Sequence, residues 1–488
     1  MKSTDTNDTP MTTPTPAATI SGARSQACPD ASHRASNVHA GNRQLAGNRW
    51  LDQWSVAQGE PLRALVDLIQ VALASFELRD LDENRTGARK RRRKGDDAER
   101  FAALVEAIIV ELAYAVLMPP ASGCLAVMLR HGGRGWQGQW GNGQGTRYGN
   151  PAFGKGLSPL LGRLQAVDVL ALRLGITGVS ATTVAPSAWV ASMVEGFGVS
   201  LKDFGRDPRE EVIVLNRNTP TLSWESGGPE RITQRERVDY RDTPDSRTYR
   251  AEVQRINAHL ASANIGFAEG NAQGAVGVDP FKRTLRRYFV IEGDEGPRFD
   301  RMGRLFGNAF WLNLAGQRRG GIRIDGEPIA NLDFSSMFLR LVYAAAGEEA
   351  PQGDLYAIPG LEAVKRSFVK FAVNCFLCDR GERRAWPTDE RHSAPKGLTP
   401  GIVRKAVLEA HPVLRGVVGT GAGMELMMTE SRIMVGVLLR LVDGGVTALP
   451  LHDGLLVAAA KSEVALRAMQ EVSGGVVGVR MPVTCKAV

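Results

Sequence analysis

Two aspartates, Asp333 and Asp453, stand about 120 residues apart in the segments IANLDFSSMFLRLVY and VTALPLHDGLLV. Each follows a short apolar run that reads as a strand. Carboxylates delivered by two strands of one sheet can hold two divalent cations. That pairing is the minimum apparatus for in-line transfer of a nucleotidyl group to a hydroxyl. Taken singly, each residue also has a plainer reading. PIANLDF runs into the helical stretch SSMFLRLVYAAAG with Ser335 as its expected N-cap, so Asp333 could serve only the helix start. Asp453-Gly454 between apolar runs is a hairpin signal, so Asp453 could be a turn former. A hairpin beside a strand-to-helix junction brings both carboxylates to one cleft.

Further groups suited to phosphate chemistry lie between and before the pair. In VKRSFVKFAVNCFLC, Arg366, Lys370 and Asn374 recur every four residues and share one face of a helix. Val364, Phe368, Phe371 and Cys375 fall on another, apolar face. A cationic stripe over a metal site can grip a triphosphate; the plainer reading is a solvated basic face. Upstream, Arg304 follows a glycine, and Arg318 and Arg319 follow a polar turn, placed to contact the backbone and base edges of a template or primer.

These residues must be positioned by a chain of 488 residues, long enough for two or three domains. Its charge of +8 and pI of about 9.3 favour a polyanionic partner. Five scattered cysteines do not make a disulfide framework, and a reducing cytoplasm fits them. Cys375 and Cys378 form a lone CxxC inside an apolar run and read as core packing. No secretory h-region is visible in the polar first sixty residues. The longest apolar run, Phe101 to Met118, is interrupted by Glu106 and Glu111 and reads as a soluble helix, with no membrane span.

Residues 1–45 are rich in Thr, Ser, Pro, Asn and Ala and are expected to be disordered. Residues 46–156 read as a helical region with two linkers. One is a basic run from Arg89 to Lys94, a solvated loop with some phosphate affinity. The other is Gly-rich, from His131 to Gly156, where Trp136, Trp140 and Tyr148 alternate with Arg134 and Arg147 in a manner suited to stacking on single strands. Residues 157–278 read as helical, with a helix in LLGRLQAVDVLALRLG (Leu160 to Gly175), a turn, a helix in PSAWVASMVEGFG and a strand in EEVIVLNR, an order compatible with a winged-helix-like unit. No internal repeat is present.

The C-terminal part, from about Phe281 to Val488, resembles the palm and fingers of family A DNA polymerases, the polymerase I type. Asp333-Phe334-Ser335-Ser336 followed by Leu339-Arg340 resembles the family's first palm motif, Asp-Tyr-Ser-Gln-Ile-Glu-Leu-Arg. His452-Asp453 resembles its His-Asp-Glu hairpin, Arg366-x3-Lys370 its fingers helix, and Gly303-Arg304-Leu305 its Thr-Gly-Arg-Leu-Ser-Ser segment. The four occur in the family's order. Four departures are evident: Gly454 replaces the second hairpin carboxylate, Phe338 replaces a glutamate beside the incoming sugar, the fingers helix lacks its terminal Tyr-Gly, and the segment between the two aspartates is short, implying reduced fingers. No proofreading exonuclease is evident; the Asp-x-Asp-Glu string between Leu78 and Arg85 lacks a strand context.

The resemblance implies an α+β fold: residues 279–488 form palm and fingers, and residues 157–278 a thumb or template-binding region. It implies a DNA-directed DNA polymerase extending a primer 3′-OH on a DNA primer-template with dNTPs. Two Mg²⁺ ions would be held by Asp333, Asp453 and the carbonyl of Phe334. Arg366, Lys370 and Asn374 would hold the nucleotide, with Phe338 as a steric gate at its sugar. His452 and Arg304 would contact the primer terminus, and Glu430 would orient template or primer. A compact polymerase of this kind suits a mobile element. The alternatives are a single-subunit RNA polymerase, a primase-like polymerase, or a nucleic-acid-binding replication protein with an inactive palm.

Overall fold

A computed structural model describes residues 49–82, 93, 95–129, 146–176, 180–223, 230–268, 277–386 and 394–486. The expected disordered tail, most of the basic run, and Arg134, Trp136 and Trp140 lie outside these residues.

The described part is mixed helix and sheet, built on two hydrophobic cores. The first unit runs through β1 (Arg49–Trp50), β2 (Ser55–Ala57), α1 (Glu60–Asp82), α2 (Asp96–Leu117), β3 (Leu125–Val127), α3 (Leu157–Ala166), β4 (Leu170–Arg173), β5 (Thr182–Pro186), α4 (Ala188–Gly196) and β6 (Phe204–Arg206). Its sheet has the order β1-β3-β5-β4. Ile108, Ile109 and Leu112 make α2 the central helix, packed with Leu62, Leu65 and Ile69 of α1. No described helix is long and apolar enough to cross a membrane. Glu106 accepts from the Ala57 N–H at 3.0 Å and Glu111 from Ser55 Oγ at 2.7 Å, so both charges of the apolar run are bonded within the unit.

The winged-helix-like order does not hold. The helix expected to continue through Leu174 ends at Ala166, where Asp168 takes a positive φ of 57°, and the next residues become β4. The order is helix, strand, strand, helix, and these elements share the first core. The cores divide near residue 210, so the boundaries expected at 156 and 278 each fall inside one core. Arg147 and Tyr148, read as stacking groups for single strands, are engaged internally. Arg147 pairs with Glu211 and Asp242 at 2.9 and 2.8 Å, and Tyr148 donates to the Val238 carbonyl at 2.8 Å.

The second unit contains β7 (Ile213–Ser223), β8 (Glu230–Arg237), α5 (Pro244–Ser262), β9 (Ile265–Phe267), β10 (Leu285–Glu292), β11 (Met302–Gly307), α6 (Phe310–Asn313), β12 (Ile322–Ile324), β13 (Glu327–Phe334), α7 (Met337–Ala346), α8 (Arg366–Cys378), α9 (Pro400–Ala410), α10 (Gly423–Asp443), β14 (Ala448–Leu451), β15 (Gly454–Ala458), α11 (Ser462–Val477) and β16 (Val483–Lys486). One sheet has the order β11-β10-β7-β8. The other has the order β14-β15-β13-β12-β9, and β16 pairs with β13 beside it.

Helix α10 ties these sheets together, packing against β11, β14, α5, α7, α8 and α11. Its approach to β11 depends on Gly303. A Cβ there would lie 2.6 Å from Met428 Sδ, and the backbone has φ of +63°. The Gly303 carbonyl also accepts from Arg287 Nε at 2.9 Å and from Ser431 Oγ. Gly303→Ala should therefore destabilise the fold by roughly 1–3 kcal/mol. The check is thermal denaturation; an unchanged melting temperature would show that strand and helix can move apart freely.

Candidate active site

Strand alternation sets the site. Leu332 and Phe334 of β13 are buried in the core, so Asn331 and Asp333, which alternate with them, face the other side. Asp333 is opposite Gly454 of β15 on one side and Thr484 of β16 on the other. The chain then turns into α7. Ser336, not Ser335, is the N-cap residue, in a left-handed conformation at φ 51°, and its side chain makes no cap bond. Ser336 Oγ instead donates to Asp354 Oδ1 at 3.2 Å. Arg340, one turn into α7, braces the junction by donating to the carbonyls of Ser335 and Gly353, each at 3.0 Å.

Asp453 sits in the two-residue turn between β14 and β15, after His452 at φ 38°. The expected turn glycine, Gly454, is the first residue of β15 and has a different task. A Cβ at that position would lie 2.5 Å from the Leu332 carbonyl and 3.2 Å from Asp333 Oδ1. Glycine is required because β13 comes so close, and the same contact forbids a second hairpin carboxylate. The Phe334 N–H donates to the Asp453 carbonyl at 3.0 Å, so hairpin and strand are locked together at Asp453 itself and one residue from Asp333.

The expected fingers helix is α8, and its charged face turns toward the hairpin. Lys370 Nζ lies 3.6 Å from Asp453 Oδ2. Arg366 makes two bonds to Asp354, at 2.5 and 2.9 Å, and its guanidinium lies 5.2 Å from the Tyr356 ring centre. Asn374, one turn beyond Lys370, has a buried Oδ1 with no hydrogen-bond partner. Cys375 and Cys378, at the end of this helix, form no disulfide; Cys375 is half-buried and Cys378 exposed, so the pair is not packed in the core as expected.

Arg304 and Glu430 form one unit. The guanidinium donates twice to the carboxylate, at 2.7 and 2.9 Å, and lies 5.4 Å from the Phe338 ring centre. Glu430 is only 1% exposed. Its expected direct contact with nucleic acid is therefore corrected: the carboxylate is spent on Arg304, because α10 is buried on that face. Burial pushes the Glu430 carboxyl up to about 7 against the pull of Arg304, and the charge of Asp453 adds to the rise. Phe338 is buried beside the same pair, and His452 packs at 5.1 Å on the Phe306 ring.

Asp333, Asp453, Lys370, Arg304, Glu430 and Phe338 thus converge, with Arg366 held at the rim by Asp354. The Asp333 carboxyl is pushed up from its ordinary value by burial and by the charge of Asp453. Lys486 Nζ, at 2.8 Å from Asp333 Oδ2, and Lys370 work against that rise. The donor set suits a hard cation: two oxygen ligands whose crowding a positive charge relieves. Among the described residues no group of three His, Cys, Asp or Glu side chains gathers to hold a metal. Magnesium needs only one or two protein carboxylates, since phosphates and water complete its shell.

Three residues near the site carried no sequence signal. Asp354 and Tyr356 lie in an irregular segment between α7 and α8, and Lys486 is a single basic residue in the last strand. Burial and the nearby Asp453 charge push the Tyr356 hydroxyl above its ordinary range.

No protein-family profile matches the chain, and no curated protein does. Among solved structures, the chain is similar to the POL domain of Pol1 from M. smegmatis, in a complex with DNA primer-template and dNTP, at 13% sequence identity and a TM-score of 0.28. The match spans about half of each chain, 49% of this one and 50% of that one.

The raised Glu430 carboxyl has a pH consequence. The folded chain keeps this proton up to about pH 7, whereas the unfolded chain loses it near 4.5. Its contribution to stability is full below the lower value and is lost as pH rises through the upper one. Between about pH 5 and pH 8, the wild-type melting temperature should fall relative to that of Glu430→Gln. A difference that stays flat across this range would show that Glu430 ionises normally.

Proposed function

We propose that this chain is a template-directed nucleotidyltransferase, a compact DNA-directed DNA polymerase of family A type without a proofreading exonuclease. The observation that supports this reading most is the meeting of three elements at one cleft. Strand β13 brings Asp333, the hairpin brings Asp453, and α8 brings Lys370 to within 3.6 Å of the Asp453 carboxylate.

Asp333 and Asp453 would hold Mg²⁺, with the Phe334 carbonyl as a further oxygen ligand. Magnesium bound there would supply charge neutralisation at the phosphates and a lowered pKa for the primer 3′-OH. The chain's own groups do the rest. Lys370 exchanges its Asp453 contact for the triphosphate, and Arg366 exchanges Asp354 for the same phosphates, since positioning and charge dominate phosphoryl transfer. Asn374 offers an unpaired buried oxygen on the same helix. Arg304, aimed by Glu430, and His452 meet the primer terminus. Phe338 packs under Arg304 and would crowd the ribose 2′ position.

Primer extension with Mg²⁺ and dNTPs tests this reading. Asp333→Ala and Asp453→Ala should each lower extension by about a hundredfold or more. Variants that extend as well as wild type would remove both aspartates from the chemistry. Incorporation of rNTPs alone would instead mark an RNA polymerase or primase-like enzyme. DNA binding with no incorporation would mark a replication protein with an inactive palm. The gate has its own assay: Phe338→Ala should raise rNTP relative to dNTP use by about tenfold or more. An unchanged ratio would show that sugar choice lies elsewhere.

A further inference from the structure

The last strand, β16, is built into the site from the side opposite the hairpin. Asp333 is paired with Gly454 across one edge of β13 and with Thr484 across the other. The Ser335 N–H donates to the Pro482 carbonyl at 2.9 Å, and Thr484 Oγ1 donates to the Asp333 carbonyl at 3.2 Å. Lys486 is directly opposite Asn331, which lies on the same face of β13 as Asp333. Asp333 is its diagonal neighbour, a distance that a long side chain spans. Lys486 Nζ reaches Asp333 Oδ2 at 2.8 Å. Its side chain stays 57% exposed, so the ammonium can swing away without disturbing the core.

The two carboxylates are therefore matched by two lysines, Lys486 at Asp333 and Lys370 at Asp453. The lysines differ in origin. Lys370 comes from a helix expected to carry it to the nucleotide. Lys486 comes from a strand hydrogen-bonded to the ligand's own strand, and it remains beside Asp333 whatever α8 does.

We propose that Lys486 is a displaceable counter-ion for Asp333, and that the C-terminal strand thereby sets the affinity of this carboxylate for divalent cations. The inference rests on the reading of Asp333 as a cation ligand. Before a cation arrives, the lysine holds the carboxylate in place and offsets its repulsion from Asp453. A cation must displace it, and the ammonium then repels the newcomer from close range. Lys486 is in this sense a positioning residue that also imposes a threshold on metal loading.

The test is Mn²⁺ binding to the full chain, without nucleic acid or nucleotide, followed by the paramagnetic resonance signal of free Mn²⁺. Lys486→Met should bind Mn²⁺ about three- to tenfold more tightly than wild type at low salt. Lys486→Arg, which keeps the charge, should bind as wild type does. Asp333→Asn should abolish the site. Circular dichroism checks that each variant folds, and Lys486→Gln replaces Lys486→Met if the latter does not. Equal or weaker Mn²⁺ affinity in the folded neutral variant overturns the role of Lys486, even where the wild type extends primers. Absence of any binding that Asp333→Asn removes overturns Lys486 as a threshold on metal loading of the free chain, whereas the proposed function, in which nucleotide phosphates complete the metal shell, is decided by primer extension.

Discussion

The site depends on one close approach between backbones, that of β13 and β15 at Asp333 and Gly454. Strand pairing normally leaves room for side chains on both faces. Here the Gly454 Cα position is so near the Leu332 carbonyl that no Cβ fits. The hydrogen bond from Phe334 to the Asp453 carbonyl follows from that approach. Two like charges are thereby set side by side, Asp333 on the ladder and Asp453 in a tight turn bonded to it, instead of on long loops that could separate. Their mutual repulsion and partial burial show in the raised Asp333 carboxyl. Such crowding is costly in an isolated fold and useful in a site meant to receive positive charge.

Charge balance explains much of the surrounding arrangement. Every acidic group near the cleft has a cation assigned to it: Lys486 for Asp333, Lys370 for Asp453, Arg304 for Glu430 and Arg366 for Asp354. The pairs differ in burial, and so in what they can do. The Arg304–Glu430 carboxylate is only 2% exposed, so breaking that pair would strand a charge in the core. The lysine pairs and Arg366–Asp354 are substantially exposed, so their cations can change partner at little cost. Rigid and exchangeable cations are thus segregated, with the exchangeable ones on α8 and β16.

Legibility in the sequence followed the range of the forces involved. Asp333 and Asp453 could be read because alternation and the strand-hairpin pattern are local. The cationic face of α8 could be read because helical spacing is local too. The purpose of Gly454 could not, since it depends on a strand more than a hundred residues away. Lys486 was invisible for the same reason: its meaning comes from the pairing of β16 with β13. Strand β4 was misread as helix because its leucines also suit helical spacing. What ends the helix is Asp168 at φ 57°, a backbone state that the residue's identity permits but does not announce. The Glu430 role failed differently. Which face α10 buries is set by its approach to β11 at Gly303, a contact more than a hundred residues away in sequence.

The first unit also bears on the site, through the strand that carries Arg304. Asn308, just past β11, donates to Asp52 Oδ2 at 3.4 Å. Asp52 accepts from Arg206, which also pairs with Glu210, and Glu210 receives Arg286 of β10. Despite the cost of burial, Arg206 and Arg286 hold the Asp52 carboxyl well below the usual carboxylate range. Nearby, the Tyr114 hydroxyl of α2 donates to Asp279 Oδ2 at 2.9 Å. These are charged and polar groups with little access to water, so each partner is expensive to remove once the others are in place. The two units therefore meet through a network that resists partial opening. Because Asn308 and Arg304 lie four residues apart, the position of the first unit is transmitted to the guanidinium that faces Phe338. On this view the first unit is joined to β10 and β11 by charged and polar contacts and is not a module tethered apart from them.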